Sequence, residues 1–247
     1  MQLTRAASHL PLAGFCSAGL LGLAAPAAAQ VGCPAALAST LASENPVCEF
    51  LSQGELHSVL GNSDVAYRLY RWVPTRGDAP SILYDSAPYF NTAVTLTLAG
   101  TPGQEPFWSA HYLQGVAWFE TPHLAHHRKY GEFLVVPGRY FGTGSLTEDY
   151  VFMPNHARSW TQIRSAAFDP DTGRGWLEGL KSYLPPGHGI WKGLGVDYTT
   201  LTGTTTVWRD TDANCCPSGG ELWFRLQIAG PELGFEIAEA RYTPPLN

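Results

Sequence analysis

The stretch of this chain densest in groups that could do chemistry is Asp210-Thr-Asp212-Ala-Asn214-Cys215-Cys216-Pro217-Ser218-Gly219-Gly220-Glu221. Asp210, Asp212, Asn214 and Glu221 occupy the first, third, fifth and twelfth positions of a calcium-loop template, a spacing that converges hard oxygen ligands on one cation. The template is incomplete. Cys215 stands where such a loop needs a glycine for its sharp turn, Pro217 restricts the middle, and the flanks read as strands where the hand motif has helices. The competing expectation is a polar loop between strands, in which Asp and Asn side chains cap turns. Calcium is the one cofactor these residues suggest, in a structural role, and no cofactor is required.

His123-Leu-Ala-His126-His127 forms a second constellation, with His111, Glu120 and Tyr130 close in sequence. On a helix, His123, His126 and His127 would share a face, and neutral imidazoles at that spacing can bind zinc or copper. Arg128 and Lys129 follow at once, and two cations beside a metal are electrostatically unfavourable, so a solvated loop between strands is the plainer expectation. The zinc-protease pattern His-Glu-x-x-His is missing. Gly142-Thr-Gly144-Ser145-Leu146 likewise lacks the closing glycine of a hydrolase nucleophile elbow, and no Lys-Ser or Lys-Thr follows to make a phosphate loop.

The remaining catalytic option is paired carboxylates. Glu120, Glu148, Asp149 and Asp197 lie near aromatic residues in strand-like contexts, and His123 adds an acid/base candidate. Glycoside hydrolysis uses an acid with a raised pKa beside an apolar ring, facing an ionised partner ~5 to 9.5 Å away. Eight tryptophans could stack on sugar rings. Against this, large aromatics fill the core of a β-rich domain, and an acid next to an aromatic in sequence points to the opposite face of a strand. These residues support a hydrolase or lyase acting on cell-envelope or extracellular polysaccharide as the alternative to a binding module.

The element Asp212-Ala-Asn214-Cys215-Cys216-Pro217-Ser218, within Val207 to Leu226, resembles one in uncharacterised bacterial exported proteins. Those proteins carry Asp-x-Asn-Cys-Cys-Pro-Ser between two strands near the C-terminus. The resemblance implies an exported β-rich module and assigns no activity.

These groups need a scaffold, and the composition bounds it. The chain has 247 residues, of which 45% are hydrophobic and 15% charged, enough apolar material for a sizeable core and too little charge for disorder. A net charge of −6 disfavours a nucleic-acid partner bound through a basic surface. Arg5, the apolar stretch Leu10 to Ala25 and the small-residue motif Ala27-x-Ala29 predict a signal peptide over residues 1–29, cleaved after Ala29, and a secreted or periplasmic protein. No later segment approaches the ~20 apolar residues of a membrane span.

Cleavage would remove Cys16 and leave Cys33, Cys48, Cys215 and Cys216, an even number in an oxidising compartment. The pairing stays open between two long bridges across the fold and a local Cys33–Cys48 bridge with a Cys215–Cys216 ring. A local bridge closing ~15 residues is worth ~3 kcal/mol. Because an exported thiol normally oxidises, Cys215 and Cys216 are expected in a structural disulfide and not as nucleophiles.

Residues 30–247 read as one α+β domain, predominantly antiparallel and sandwich or barrel-like. A short helical N-terminal cap is expected over 34–61, from Pro34 at a first helical position and the capping-box pattern Ser52-Gln-Gly-Glu55. One internal helix is expected over Gly175 to Leu184, stopped by Pro185-Pro186-Gly187. Strands are expected over Ala66 to Val73, Ser81 to Tyr84, Ala93 to Leu98, Phe107 to Phe119, Glu132 to Val136, Tyr150 to Met153, Trp160 to Arg164, Val196 to Trp208 and Leu222 to Ile228, with a last one toward Tyr242. The leading expectation is an exported, disulfide-stabilised binding or accessory module without catalytic activity, whose extracytoplasmic ligand is a glycan or a protein.

Overall fold

Short runs of β-branched and aromatic residues between glycine and proline breaks become antiparallel strands almost throughout. The structure, a computed structural model, describes residues 30–33, 47–73, 92–100, 105–111, 117–140, 149–163, 175–191, 194–229 and 233–246. The predicted signal segment, the helix after Pro34, the strand at 81–84 and Glu148 lie outside them.

A first sheet runs β1 (Gln30–Gly32), β2 (Val47–Leu56), β3 (Val65–Val73), β4 (Thr92–Leu98), β5 (Trp108–His111) in spatial order. The pair β6 (Ala117–Phe119) and β9 (Gly138–Tyr140) forms a separate two-stranded sheet that meets β4, where the Phe119 N–H donates to Thr92 Oγ1 at 2.6 Å. A second sheet has the order β11-β10-β8-β7, from β7 (His123–His127), β8 (Gly131–Val136), β10 (Tyr150–Pro154) and β11 (Trp160–Ile163). After helix α1 (Trp176–Lys181) come β12 (His188–Gly189), β13 (Gly195–Asp197), β14 (Thr202–Thr206), β15 (Trp208–Arg209), β16 (Glu221–Ala229) and β17 (Gly234–Thr243). Of these, β13-β14-β16-β17 make a third sheet and β12 pairs with β15.

The second sheet carries a core on each face. Leu134, Val136, Phe152 and Trp160 pack with Val65, Leu69, Val94 and Leu96 of the first sheet. Ala125, Phe133, Val135, Val151 and Ile163 pack with α1 and with Leu222, Phe224 and Leu226 of the third. Burial of both faces explains why β8 reads Glu-Phe-Leu-Val-Val, a nearly unbroken apolar run without polar alternation. This stacking is sandwich-like, and among the described residues no sheet closes into a barrel.

The helical cap needs correction where it can be seen. Ser52 to Leu56, expected in a helix, lie in β2, paired with β3 from Val47↔Val73 to Leu56↔Val65. Gly54 shows why the capping box lost: glycine is a poor helix former, and here it lies flat under Tyr67, where a Cβ would come within 2.7 Å of the phenol oxygen. Val59 and Leu60, within the expected cap, are exposed in the following turn. The expected internal helix is also shorter than its pattern. Only Trp176–Lys181 are helical, with Trp176, Leu177 and Leu180 buried; tighter bonds, Tyr183 N–H to Leu180 O and Leu184 N–H to Lys181 O, then unwind the chain ahead of Pro185. No helix among the described residues is long and apolar enough to cross a membrane.

Candidate functional site

Of the carboxylate candidates, the fold brings Glu120 and Asp149 onto one cation. Arg139 of β9 places Nη2 3.1 Å from Glu120 Oε2 and Nη1 2.8 Å from Asp149 Oδ1. Asp149 also accepts the Gly138 N–H on Oδ1 at 3.3 Å and the Tyr198 hydroxyl on Oδ2 at 2.9 Å. Burial, then the Asp149 charge, pushes the Tyr198 hydroxyl well above its ordinary range, so it stays a donor. Arg139 thus bridges the two carboxylates through its two Nη atoms, so they do not face each other across an open gap as a glycosidase pair must. Asp197 is elsewhere, at the end of β13, where it accepts the Thr199 N–H (2.8 Å) and the Thr199 hydroxyl (2.6 Å) and is held below the ordinary carboxylate range, chiefly by Thr199.

The histidines lie on β7 and not on a helix or loop, and strand alternation separates His126 from His123 and His127. His127 is committed to its own turn: Nδ1 accepts the N–H groups of Lys129 (3.1 Å) and Tyr130 (3.2 Å), and the ring stacks on Tyr130. Burial, with Lys129 and His126 nearby, holds its pKa below the usual value. Among the described residues, no group of three His, Cys, Asp or Glu is arranged to hold a metal.

In the Asp210 loop, Asp212 accepts the Arg209 N–H (2.7 Å) on Oδ2, the Ser218 N–H (2.7 Å) on Oδ2 and the Ser218 hydroxyl (2.6 Å) on Oδ1. These donors, Ser218 foremost, hold its carboxyl below the ordinary range. Asp212 thus does the work of a turn cap. Glu221 has left the loop for β16, opposite Thr206 and Thr243. The cysteines pair locally, Cys33 with Cys48 and Cys215 with Cys216. The first bridge ties β2 to the end of β1.

Around that loop lies a feature the sequence held only as one tryptophan among eight. Trp108, Trp160, Trp176 and Trp208 line the cores or are buried, whereas Trp191 is 46% exposed. Its ring is parallel to that of Trp208, 2° between planes and 6.5 Å between centroids. Gly189, paired with Trp208, permits this: a Cβ there would meet Trp191 Nε1 at 2.7 Å. Trp208 is 4% exposed, and its Nε1 has no hydrogen-bond partner among the described residues.

Next to the stack, His188 lies edge-on to Tyr242, whose hydroxyl donates to Gly219 O at 2.7 Å. The Asp210 N–H donates to Gly187 O, and Gly219 N–H to Val207 O. His188, Tyr242 and Gly219 thus cluster one ladder position away from the Gly189–Trp208 pair on which Trp191 rests.

A further buried group escaped sequence reading altogether. Glu132, 1% exposed on β8, accepts the Ser58 hydroxyl (2.5 Å), the Val59 N–H (2.8 Å) and the Asn62 side-chain amide (2.9 Å), and so fastens the β2–β3 turn to the second sheet. Beside that turn, Glu55, Asn62, Ser63, Asp64, Leu98 and Gly100 line a polar cleft of about 550 Å³. The sequence matches no known family model and shows no significant similarity to a curated protein or to a solved structure.

Proposed function

We propose that this chain is an exported, disulfide-stabilised binding module, non-catalytic, that holds a glycan on the face of Trp191. The observation that carries the reading is the exposed Trp191 indole stacked on buried Trp208. An exposed aromatic ring normally costs solvation, and this one is backed by the buried Trp208 ring, parallel to it. The apolar face of a sugar ring covers such a platform. Export is supported by the residues of the 1–29 segment and by paired cysteines. A polysaccharide-cleaving enzyme has less support, because Arg139 joins Glu120 and Asp149 and both Asp149 oxygens are occupied.

The test is affinity electrophoresis of the protein through gels cast with cell-envelope and plant polysaccharides. Retardation by at least one glycan is expected, lost in Trp191→Ala and kept in Trp223→Ala, whose ring is covered by Arg241. Retardation by none, or equal retardation of the Trp191 variant, overturns the proposal.

A further inference from the structure

The two disulfides differ in what they can contribute to stability. Cys33–Cys48 spans 15 residues and Cys48 is wholly buried. Cys215–Cys216 joins neighbours. A cross-link stabilises largely by removing loop-closure entropy from the unfolded chain, and a ring holding a single peptide unit closes no loop worth counting.

Nor does the second bond hold its loop in place. Asp212 gathers the N–H of Arg209 and both donors of Ser218, so the chain on either side of the cysteines is tied together without the sulfurs. Gly219, beyond the cysteines, is separately fixed to Val207 O and to the Tyr242 hydroxyl. Cys215 and Cys216 are both exposed on this fastened loop. Exposed disulfides are the ones open to attack, and a preformed loop keeps the released thiols adjacent.

The geometry points to Cys215–Cys216 as a thiol–disulfide exchange site, a two-electron acceptor for a small dithiol, and not a structural staple. The dithiol's thiolate attacks one Sγ, the Sγ–Sγ bond breaks, and a mixed disulfide forms as the other Sγ leaves as a thiolate and is protonated. The dithiol's second thiolate then displaces the bound cysteine and departs as a cyclic disulfide. Two electrons pass to the protein, and the two protons lost by the dithiol are balanced by those gained on Cys215 and Cys216. The adjacency of the two thiols makes the reverse step, oxidation by a disulfide, equally direct. This inference is independent of the glycan reading, which uses Trp191 and not the sulfurs.

The test treats the full chain with graded dithiothreitol, alkylates free thiols and locates them by mass spectrometry, with thermal unfolding of each sample in parallel. The 215–216 pair is expected to open at a dithiothreitol concentration roughly tenfold or more below that needed for Cys33–Cys48. The selectively reduced protein should melt within about 3 °C of the oxidised one, a difference of roughly 1 kcal/mol. Opening of both bridges together, or a larger fall in Tm on selective opening, overturns the proposal. The Cys216→Ser variant supplies a readout that needs no reductant. Its Cys215 should form a mixed disulfide with hydroxyethyl disulfide under native conditions, and an unreactive Cys215 in the folded variant also overturns it.

Discussion

Replacing Glu132 with alanine removes the carboxylate that joins the first and second sheets through the β2–β3 turn. Three donors, Ser58 Oγ, Val59 N–H and Asn62 Nδ2, meet it within 2.9 Å, and it is 1% exposed. Hydrogen bonds to a charged group are worth ~1.5–3 kcal/mol each, but the truncation also relieves the cost of burying the charge. The donors lie on a turn whose Val59 and Leu60 are exposed, so water can reach part of what is lost. The net loss is about 3 kcal/mol, or roughly 6–12 °C in Tm for a domain of this size. Glu132→Gln keeps one acceptor oxygen and should lose about half as much.

The same carboxyl supplies a pH signature. Burial would raise its pKa, yet the Ser58 hydroxyl, the Asn62 amide and the Val59 and Leu60 N–H groups together hold it below the ordinary 4.5. Its stabilisation is therefore complete above the unfolded-state value and is lost as the pH falls through the lower, folded one. Calorimetric melts from pH 7 to pH 3 should show the wild-type advantage over Glu132→Gln shrinking below about pH 4. An alanine variant that melts within 1 °C of wild type at pH 7, or a wild-type advantage independent of pH, would refute this account of the turn.

Three further outcomes follow from the same structure. Asp149→Ala should cost about 3 kcal/mol because it removes the acceptor of the buried Tyr198 hydroxyl and one of the two carboxylates on Arg139, whereas Glu120→Ala, at a carboxylate 46% exposed, should cost less than about 1 kcal/mol by urea unfolding. Gly54→Ala should lower stability by about 1–3 kcal/mol in the same assay, since Tyr67 must shift from its ring contact. Replacing Cys33 and Cys48 together with serine should cost about 3 kcal/mol, while the double serine variant at Cys215 and Cys216 should melt close to wild type.

Strands with one buried face were legible because period-two alternation is a direct imprint of the pleat. Leu222, Phe224 and Leu226 alternate with Trp223 and Arg225, and all three apolar residues reach the core. β2 was not legible, because its local signal, a capping box, favours a helix, and only the ladder with β3 overrides it. β7 was hidden by its three histidines, which read as a solvated loop although Ala125 between them is buried.

The site shows the same division. Spacing marked the Asp210 loop as an organised structure, and Asp212 does organise it, around backbone and serine donors. The Glu120–Arg139–Asp149 cluster depends on the pairing of β6 with β9 and on where β10 begins, which no local pattern announces. Trp191 could not be separated from the core tryptophans, because exposure is a property of the assembled third sheet and its neighbours. Gly189 was the available signal, a residue without a side chain two positions from a tryptophan.

The most direct test of the binding reading is calorimetric titration of the purified protein with oligosaccharides from whichever polysaccharide retards it, comparing wild type, Trp191→Ala and Trp223→Ala. A stacked indole at the centre of a binding site is worth about 2 kcal/mol or more, so Trp191→Ala should weaken binding at least ~30-fold while Trp223→Ala binds as wild type. Equal affinity in wild type and the Trp191 variant would contradict the account.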